Sequence, residues 1–113
     1  MKVLIVDAEQ ELSEILTNIV KDEFKSDDII SYTNLVKAVS ELKTHGADFV
    51  VVSHELFEEH PPEIFKYLTK KTNLILMSSD VMIDIESYRE KGVHGVLVRP
   101  VDEELLFRML KRE

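Results

Sequence analysis

The feature that most constrains the fold is an alternation of short apolar runs with longer segments of helical periodicity. The runs occupy residues 3–6, 29–32, 49–52, 74–77 and 96–98. They are continuous rather than interrupted at every second position, which is typical of strands covered on both faces. The run at 29–32 is the least apolar, so we expect it at an edge of the sheet.

The first two intervening segments carry apolar stripes at helical spacing, which we expect to face the core. The first stripe comprises Leu12, Ile15, Leu16, Ile19 and Val20. The second comprises Leu35, Ala38, Val39 and Leu42. The third segment begins with Pro61 and Pro62, and proline is favoured in the first turn of a helix because its missing N–H is not needed there.

The last two segments carry helix-start signals as well. Asp80 is a candidate N-cap for a helix over residues 81–91, with Gly92 at its carboxyl end. In that helix Val81, Ile85 and Tyr88 would face the core, which leaves Ile83 exposed.

Asp102 and the two acids after it begin the final helix, where negative charge is favoured by the helix dipole. On this helix Phe107 lies at the margin of an apolar face. That face is formed by Leu105, Leu106, Met109 and Leu110.

This element order repeats strand and helix five times and indicates one α/β domain over residues 1–113. Right-handed crossovers then place helices on both faces of a parallel sheet. Five strands fit the flavodoxin-like doubly wound order 2-1-3-4-5, in which ligands bind beyond the carboxyl ends of the strands.

Composition excludes several classes of protein. Asp and Glu number 22 against 14 Lys and Arg, and the net charge of -8 disfavours direct binding to nucleic acid. The chain has no cysteine, so disulfides and thiolate metal sites are excluded. No apolar run approaches the ~20 residues that span a bilayer, and the first residues do not form a secretory signal. We therefore expect a cytoplasmic protein with no membrane contact.

Polar residues collect at the predicted carboxyl edge of the sheet, and the sequence around them resembles a known family. The segments are VLIVDAE at the first strand, ADFVVVS at the third, LILMSS at the fourth and GVHGVLVRPVDEELL at the fifth. Together they resemble the corresponding segments of response-regulator receiver domains from two-component signalling. The likeness extends over essentially the whole chain, in the same order and at similar distances.

The resemblance implies roles for particular positions. In receivers, two acids after the first strand and a phosphoacceptor aspartate after the third hold Mg²⁺. A hydroxyl residue after the fourth strand contacts the phosphoryl group, and a lysine before a cis-proline pairs with that group. Here Asp7 matches the first acid, Ala8 stands at the position of the second, and Glu9 matches the acid that follows it. Ser53 stands at the acceptor position, Ser78 matches the hydroxyl residue, and Arg99 and Pro100 stand at the positions of the lysine and the proline.

Three of these positions depart from the family pattern. Ser53 stands at the acceptor position, Ala8 replaces the second acid and Arg99 replaces the lysine. Losing two carboxylates leaves at most a weak Mg²⁺ site at Asp7, so we expect no cofactor. Arg99 offers a planar guanidinium suited to pairing with Asp7, which would lock the pocket.

Three functional classes follow from this sequence. The first is a non-enzymatic pseudo-receiver that binds a protein partner, either a sensor kinase, an output domain or a second copy in a homodimer, through a face that includes Ile83 and Phe107. The second is a phosphorelay component that accepts phosphate on Ser53 or His54, although the sequence shows no base beside Ser53. The third, an enzyme or nucleotide binder, is disfavoured because no glycine-rich loop follows the first strand.

Overall fold

Each predicted strand is present in the computed structural model, which describes residues 1–111. The strands are β1 (Val3–Val6), β2 (Ile29–Tyr32), β3 (Phe49–Ser53), β4 (Asn73–Ser78) and β5 (Gly95–Val98). All pairings are parallel and the strand order is β2-β1-β3-β4-β5. The flavodoxin-like fold class is therefore confirmed, as is the edge position of β2.

Within residues 1–111, five α-helices and one 3-10 helix connect or follow these strands. The α-helices are α1 (Gln10–Phe24), α2 (Leu35–His45), α3 (Pro62–Lys71), α4 (Ile85–Glu90) and α5 (Glu103–Leu110). The 3-10 helix, His54–Glu59, follows β3 directly and was not predicted from the sequence. Among the described residues, no helix has the length and apolar character needed to cross a membrane.

The sheet separates two apolar clusters because successive strand residues point to opposite faces. Val3 and Ile5 pack on one face with side chains of α1 and α5. Leu4 and Val6 pack on the other with side chains of α2 and α3, and residues of α4 are partly buried against them. Burial on both faces explains why the strands read as continuous apolar runs.

The predicted core stripe of α1 is wrong at two positions. Leu12 and Ile15 are 44% and 57% exposed, whereas Ser13 and Thr17 are buried. The Ser13 hydroxyl donates to the Ile5 carbonyl oxygen at 3.2 Å, and the Thr17 hydroxyl donates to the Ser13 carbonyl oxygen at 2.7 Å. These bonds satisfy both buried hydroxyls, so the helix turns its small polar residues toward the sheet.

The predicted start of the fourth helix is also wrong. Asp84, not Asp80, is the N-cap, and its carboxylate accepts from the Ser87 N–H at 3.1 Å. Asp80 accepts from the Met82 N–H at 2.9 Å in the preceding turn. Gly92 does follow the helix with a positive φ of 99°, as predicted.

The later start of α4 changes which apolar residues face solvent. Val81, predicted in the core, is 76% exposed and Met82 is 85% exposed. Ile83, predicted to be exposed, is partly buried against the cluster on the α2–α4 side of the sheet, because it lies in the turn rather than on the helix. Phe107 is likewise partly buried, with its ring centroid 5.9 Å from that of Phe24. The two residues proposed for an interaction face are therefore half-buried rather than fully exposed.

The final helix begins as predicted. The Asp102 carboxylate accepts from the N–H groups of Glu104 and Leu105 at 3.0 and 3.3 Å. Leu106 and Leu110 are buried, but Leu105 is 36% exposed. Only part of the predicted four-residue apolar face therefore packs in the core.

Candidate functional site

The site lies where the carboxyl ends of four parallel strands meet. Asp7 follows β1, Ser53 ends β3, Ser78 ends β4 and Arg99 follows β5. Val6 is paired with Val52 and Ser53 with Met77, so these ends lie at the same level of the sheet. Parallel strands thus bring together residues from four distant parts of the chain.

Asp7 is buried with both carboxylate oxygens engaged. Oδ2 accepts from Arg99 Nη2 at 2.7 Å, and Oδ1 accepts from the Glu9 N–H at 3.0 Å. Asp7 is 6% exposed. The pairing of Arg99 with Asp7 that the sequence predicted is therefore present, and the Arg99–Pro100 peptide bond is cis, as the resemblance implies.

Ser53 has an acceptor beside it that the sequence did not reveal. The buried Ser53 hydroxyl donates to Glu55 Oε2 at 2.5 Å. The expectation that no base adjoins Ser53 was wrong, because the 3-10 helix after β3 turns the residue two positions later back over the strand end.

Glu55 connects this serine to the rest of the site. Its Oε2 lies 3.8 Å from Arg99 Nη1, and its Oε1 accepts from the Ser79 N–H at 3.4 Å. Partial burial acts to raise the pKa of Glu55. Hydrogen bonds from Ser53 and from backbone N–H groups, together with the charge of Arg99, outweigh burial and hold the pKa below its ordinary value. Arg99 thus lies between two carboxylates.

Two predicted site residues lie outside this network. The Glu9 side chain is exposed, and Glu9 contributes through its backbone N–H alone to Asp7. Ser78 is fully buried, and its hydroxyl accepts from the Asp80 N–H at 3.0 Å. The Ser78 carbonyl oxygen also accepts from the Arg99 N–H at 2.8 Å, so Ser78 shapes the backbone on which Arg99 is held.

His54, the residue after Ser53, points toward α4. Its Nε2 lies 2.7 Å from the Tyr88 hydroxyl, and the two rings meet edge to face with centroids 5.2 Å apart. His54 is partly buried, and this contact directs it away from Asp7 and Arg99.

The donor set does not fit the Mg²⁺ that the receiver fold implies. Mg²⁺ is held by carboxylate oxygens and water in near-octahedral geometry. Asp7 is paired with a guanidinium, Ala8 has no donor and Ser53 supplies a hydroxyl in place of a carboxylate. Within residues 1–111, no three His, Cys, Asp or Glu side chains cluster closely enough to hold a metal ion.

Glu55 was among the polar residues expected just past the third strand, but the sequence analysis assigned it no role in the site. The available indication was its place two residues beyond Ser53, in the segment that leaves β3. An acid at this distance in the sequence can reach the end of β3 if the chain turns directly after the strand. Its orientation depends on the 3-10 turn, which no residue pattern in this segment indicates.

The fold matches that of response-regulator receiver domains. The signal receiver domain of a DNA-binding response regulator from Colwellia psychrerythraea 34H is similar with a TM-score of 0.85 and 19% identity, over 99% of this chain and 96% of that chain. Chemotaxis response regulator CheY4 of Vibrio cholerae is similar with a TM-score of 0.76 and 19% identity, over 98% and 96%. The N-terminal domain of an uncharacterized protein from Wolinella succinogenes is similar with a TM-score of 0.77 and 20% identity, over 99% of this chain and 91% of that chain.

No family model matches the sequence, and no curated protein does. At about one residue in five identical, the structural likeness establishes the receiver fold, while the chemistry depends on the residues at the strand ends.

Proposed function

We propose that the protein is a response-regulator-like signalling module that works by protein–protein interaction and does not need a phosphoryl group. The observation that carries this proposal is the position of Arg99, which is shared between Asp7 and Glu55 at 2.7 and 3.8 Å. In receivers, as the resemblance implies, the corresponding lysine pairs with a phosphoryl group. Here the cation already has two anionic side-chain partners, the buried Asp7 and the half-exposed Glu55.

Glu55 supplies the anion that a phosphoryl group would otherwise bring. Its carboxylate contacts Arg99 and accepts from Ser53, the residue at the acceptor position. A side-chain carboxylate is neither transferred nor hydrolysed. The pocket would therefore remain in one state, and the domain would signal through its presence rather than through its phosphorylation.

The same contacts argue against a metal cofactor and against enzymatic activity. A cation entering the pocket would have to displace Arg99 from Asp7 and would gain only one buried carboxylate. Placing a metal ion beside the Arg99 guanidinium in a site of low dielectric would also be strongly disfavoured, because the two positive charges repel each other. We therefore expect Mg²⁺ binding to be weak and no self-catalysed phosphoryl transfer to occur.

A second candidate function is supported by the short contact between Ser53 and Glu55. The Ser53 hydroxyl is aligned on a carboxylate at 2.5 Å, the arrangement of a nucleophile with a base. The pKa of Glu55 is lowered, however, and a less basic carboxylate removes a hydroxyl proton less effectively. His54 is held toward Tyr88, so we rank phosphate acceptance on Ser53 or His54 second.

Intact-protein mass spectrometry after incubation with acetyl phosphate and Mg²⁺ separates the two candidates. We expect the wild-type mass to be unchanged. The positive control combines Ser53→Asp, Ala8→Asp and Arg99→Lys, which restores the receiver residue set and should gain one phosphoryl group. A stable phosphoryl group on Ser53 or His54 of the wild type would overturn the proposal.

The interaction partner is proposed to be a protein, either a second copy or another signalling component. Since Ile83 and Phe107 are half-buried, the largely exposed apolar side chains in the middle of the β4–α4 connection are better candidates for contact. Val81 and Met82 are the most exposed of the large apolar residues in the described chain. Sedimentation of the wild type and of Met82→Glu tests self-association. If both proteins sediment as monomers, the proposed homodimer is ruled out.

A further inference from the structure

A cleft of about 320 Å³ opens between the 3-10 helix, α3 and α4. This volume falls at the lower end of the ~300–1,000 Å³ typical of small-molecule sites. Its lining does not include Asp7, Ser53 or Arg99. The cleft is therefore distinct from the pocket at the strand ends.

Aromatic rings in mutual contact form its walls. Phe57 and Phe65 meet edge to face at 5.3 Å between centroids, and Phe65 meets Tyr88 at 6.1 Å. The bond between the Tyr88 hydroxyl and His54 Nε2 fixes the far wall. Rings held by one another in this way offer a preformed surface to a flat ligand, because little side-chain entropy remains to be lost on binding.

The charged residues that line the cleft are basic, whereas the chain as a whole carries a net negative charge. Lys66 and Lys91 line it, and no carboxylate does, in a protein with 22 acids and a net charge of -8. Neither lysine makes an ion pair within residues 1–111. Lys91 Nζ lies 5.0 Å from the centre of the Tyr88 ring, so one cation is placed directly over an aromatic wall.

We propose that this cleft binds a small planar aromatic anion. The ring of the ligand would pack against Phe65 and Tyr88, while its carboxylate or phosphate group would pair with Lys66 and Lys91. Aromatic contact supplies affinity for the flat portion, and the two lysines select negative charge at one end. This inference does not depend on whether the protein accepts phosphate.

An NMR titration of the intact ¹⁵N-labelled chain tests the proposal, with indole-3-carboxylate as the carboxylate probe and phenyl phosphate as the phosphate probe. We expect saturable shifts at His54, Phe65, Tyr88 and Lys91 with at least one probe, and the probe that binds identifies the anionic group. Indole, which lacks the charge, and cyclohexanecarboxylate, which lacks the flat ring, should each bind several-fold more weakly.

Variants locate the site. Lys66→Met and Lys91→Met should each weaken binding by about threefold, the effect of losing one exposed ion pair. Lys70→Met is the matched control, since Lys70 is an exposed residue of α3 that does not line the cleft, and its affinity should equal that of the wild type. The proposal is overturned if neither probe saturates, or if both lysine variants bind like the wild type.

Discussion

Arg99 Nη2 lies 2.7 Å from Asp7 Oδ2, although the two residues are 92 positions apart in the chain. In the sheet, β1 and β5 are separated by β3 and β4, so the arginine side chain reaches across two strand ends to make this contact. The contact lies at the position where the resemblance to receiver domains would place a metal ion. It joins the first strand of the chain to the last.

A double-mutant cycle measures the strength of this pair. For Asp7→Asn and Arg99→Met, we expect a coupling free energy of about 1 kcal/mol or more in urea unfolding, because the pair is largely removed from water. The exposed ion pair of Glu86 and Arg89 is the control, with an expected coupling below ~0.5 kcal/mol. Strict additivity of Asp7→Asn and Arg99→Met would refute the pairing.

The acid dependence of stability should change in Glu55→Gln. The lowered pKa of Glu55 means that its ionised form stabilises the folded state, a contribution fully present above its unfolded-state pKa near 4.5 and lost as pH falls through the folded pKa. The stability gap between wild type and Glu55→Gln should therefore be larger at pH 7 than at about pH 3.5.

Urea unfolding at both pH values gives this comparison, with Glu58→Gln as the control because Glu58 is an exposed residue of the same 3-10 helix. A gap for Glu55→Gln that is the same at both pH values would show that the Glu55 carboxylate is not held by Ser53 and Arg99.

The orientation of α1 predicts that truncating two neighbouring apolar residues changes the free energy of unfolding by very different amounts. Leu16→Ala should lower the free energy of unfolding by about 2–5 kcal/mol, because Leu16 lies in the buried cluster. Ile15→Ala should change it by less than ~0.5 kcal/mol, because Ile15 is 57% exposed. Equal losses in chemical denaturation would favour the stripe predicted from the sequence.

The start of α4 can be tested in the same way. Asp84→Ala should cost about 1 kcal/mol, because the Ser87 N–H loses its capping acceptor. Asp80→Ala should cost less, since Asp80 bonds only within the preceding turn. A larger loss of unfolding free energy from Asp80→Ala than from Asp84→Ala would instead support the helix over residues 81–91 that the sequence predicted.

The sheet could be predicted from the sequence because burial on both faces leaves a local signal, a continuous apolar run, that does not depend on distant contacts. The runs at 3–6 and 49–52 contain no polar residue, and parallel strands then follow from the helical segments between them. The Arg99 and Asp7 contact was predictable too, since the resemblance brought both residues to one edge and their charges are complementary.

The remaining errors arose where a polar group had more than one possible partner. Ser13 and Thr17 read as surface residues, but hydrogen bonds to carbonyl oxygens allow them to be buried. Asp80 and Asp84 are both acceptable caps, and the local sequence does not choose between them. Glu55 reaches the site only through the turn after β3, and a turn of this kind has no apolar period to reveal it.

The sheet also divides the apolar interior into two compartments that do not share side chains. Leu16 belongs to the compartment under α1 and α5, whereas Leu42 belongs to the one under α2 and α3. Side chains with no common neighbours relax independently, so truncations of these two residues should add to within about 0.5 kcal/mol. Either compartment can therefore be repacked without reference to the other, which would let the helices on one face be redesigned while those on the opposite face keep their natural sequence.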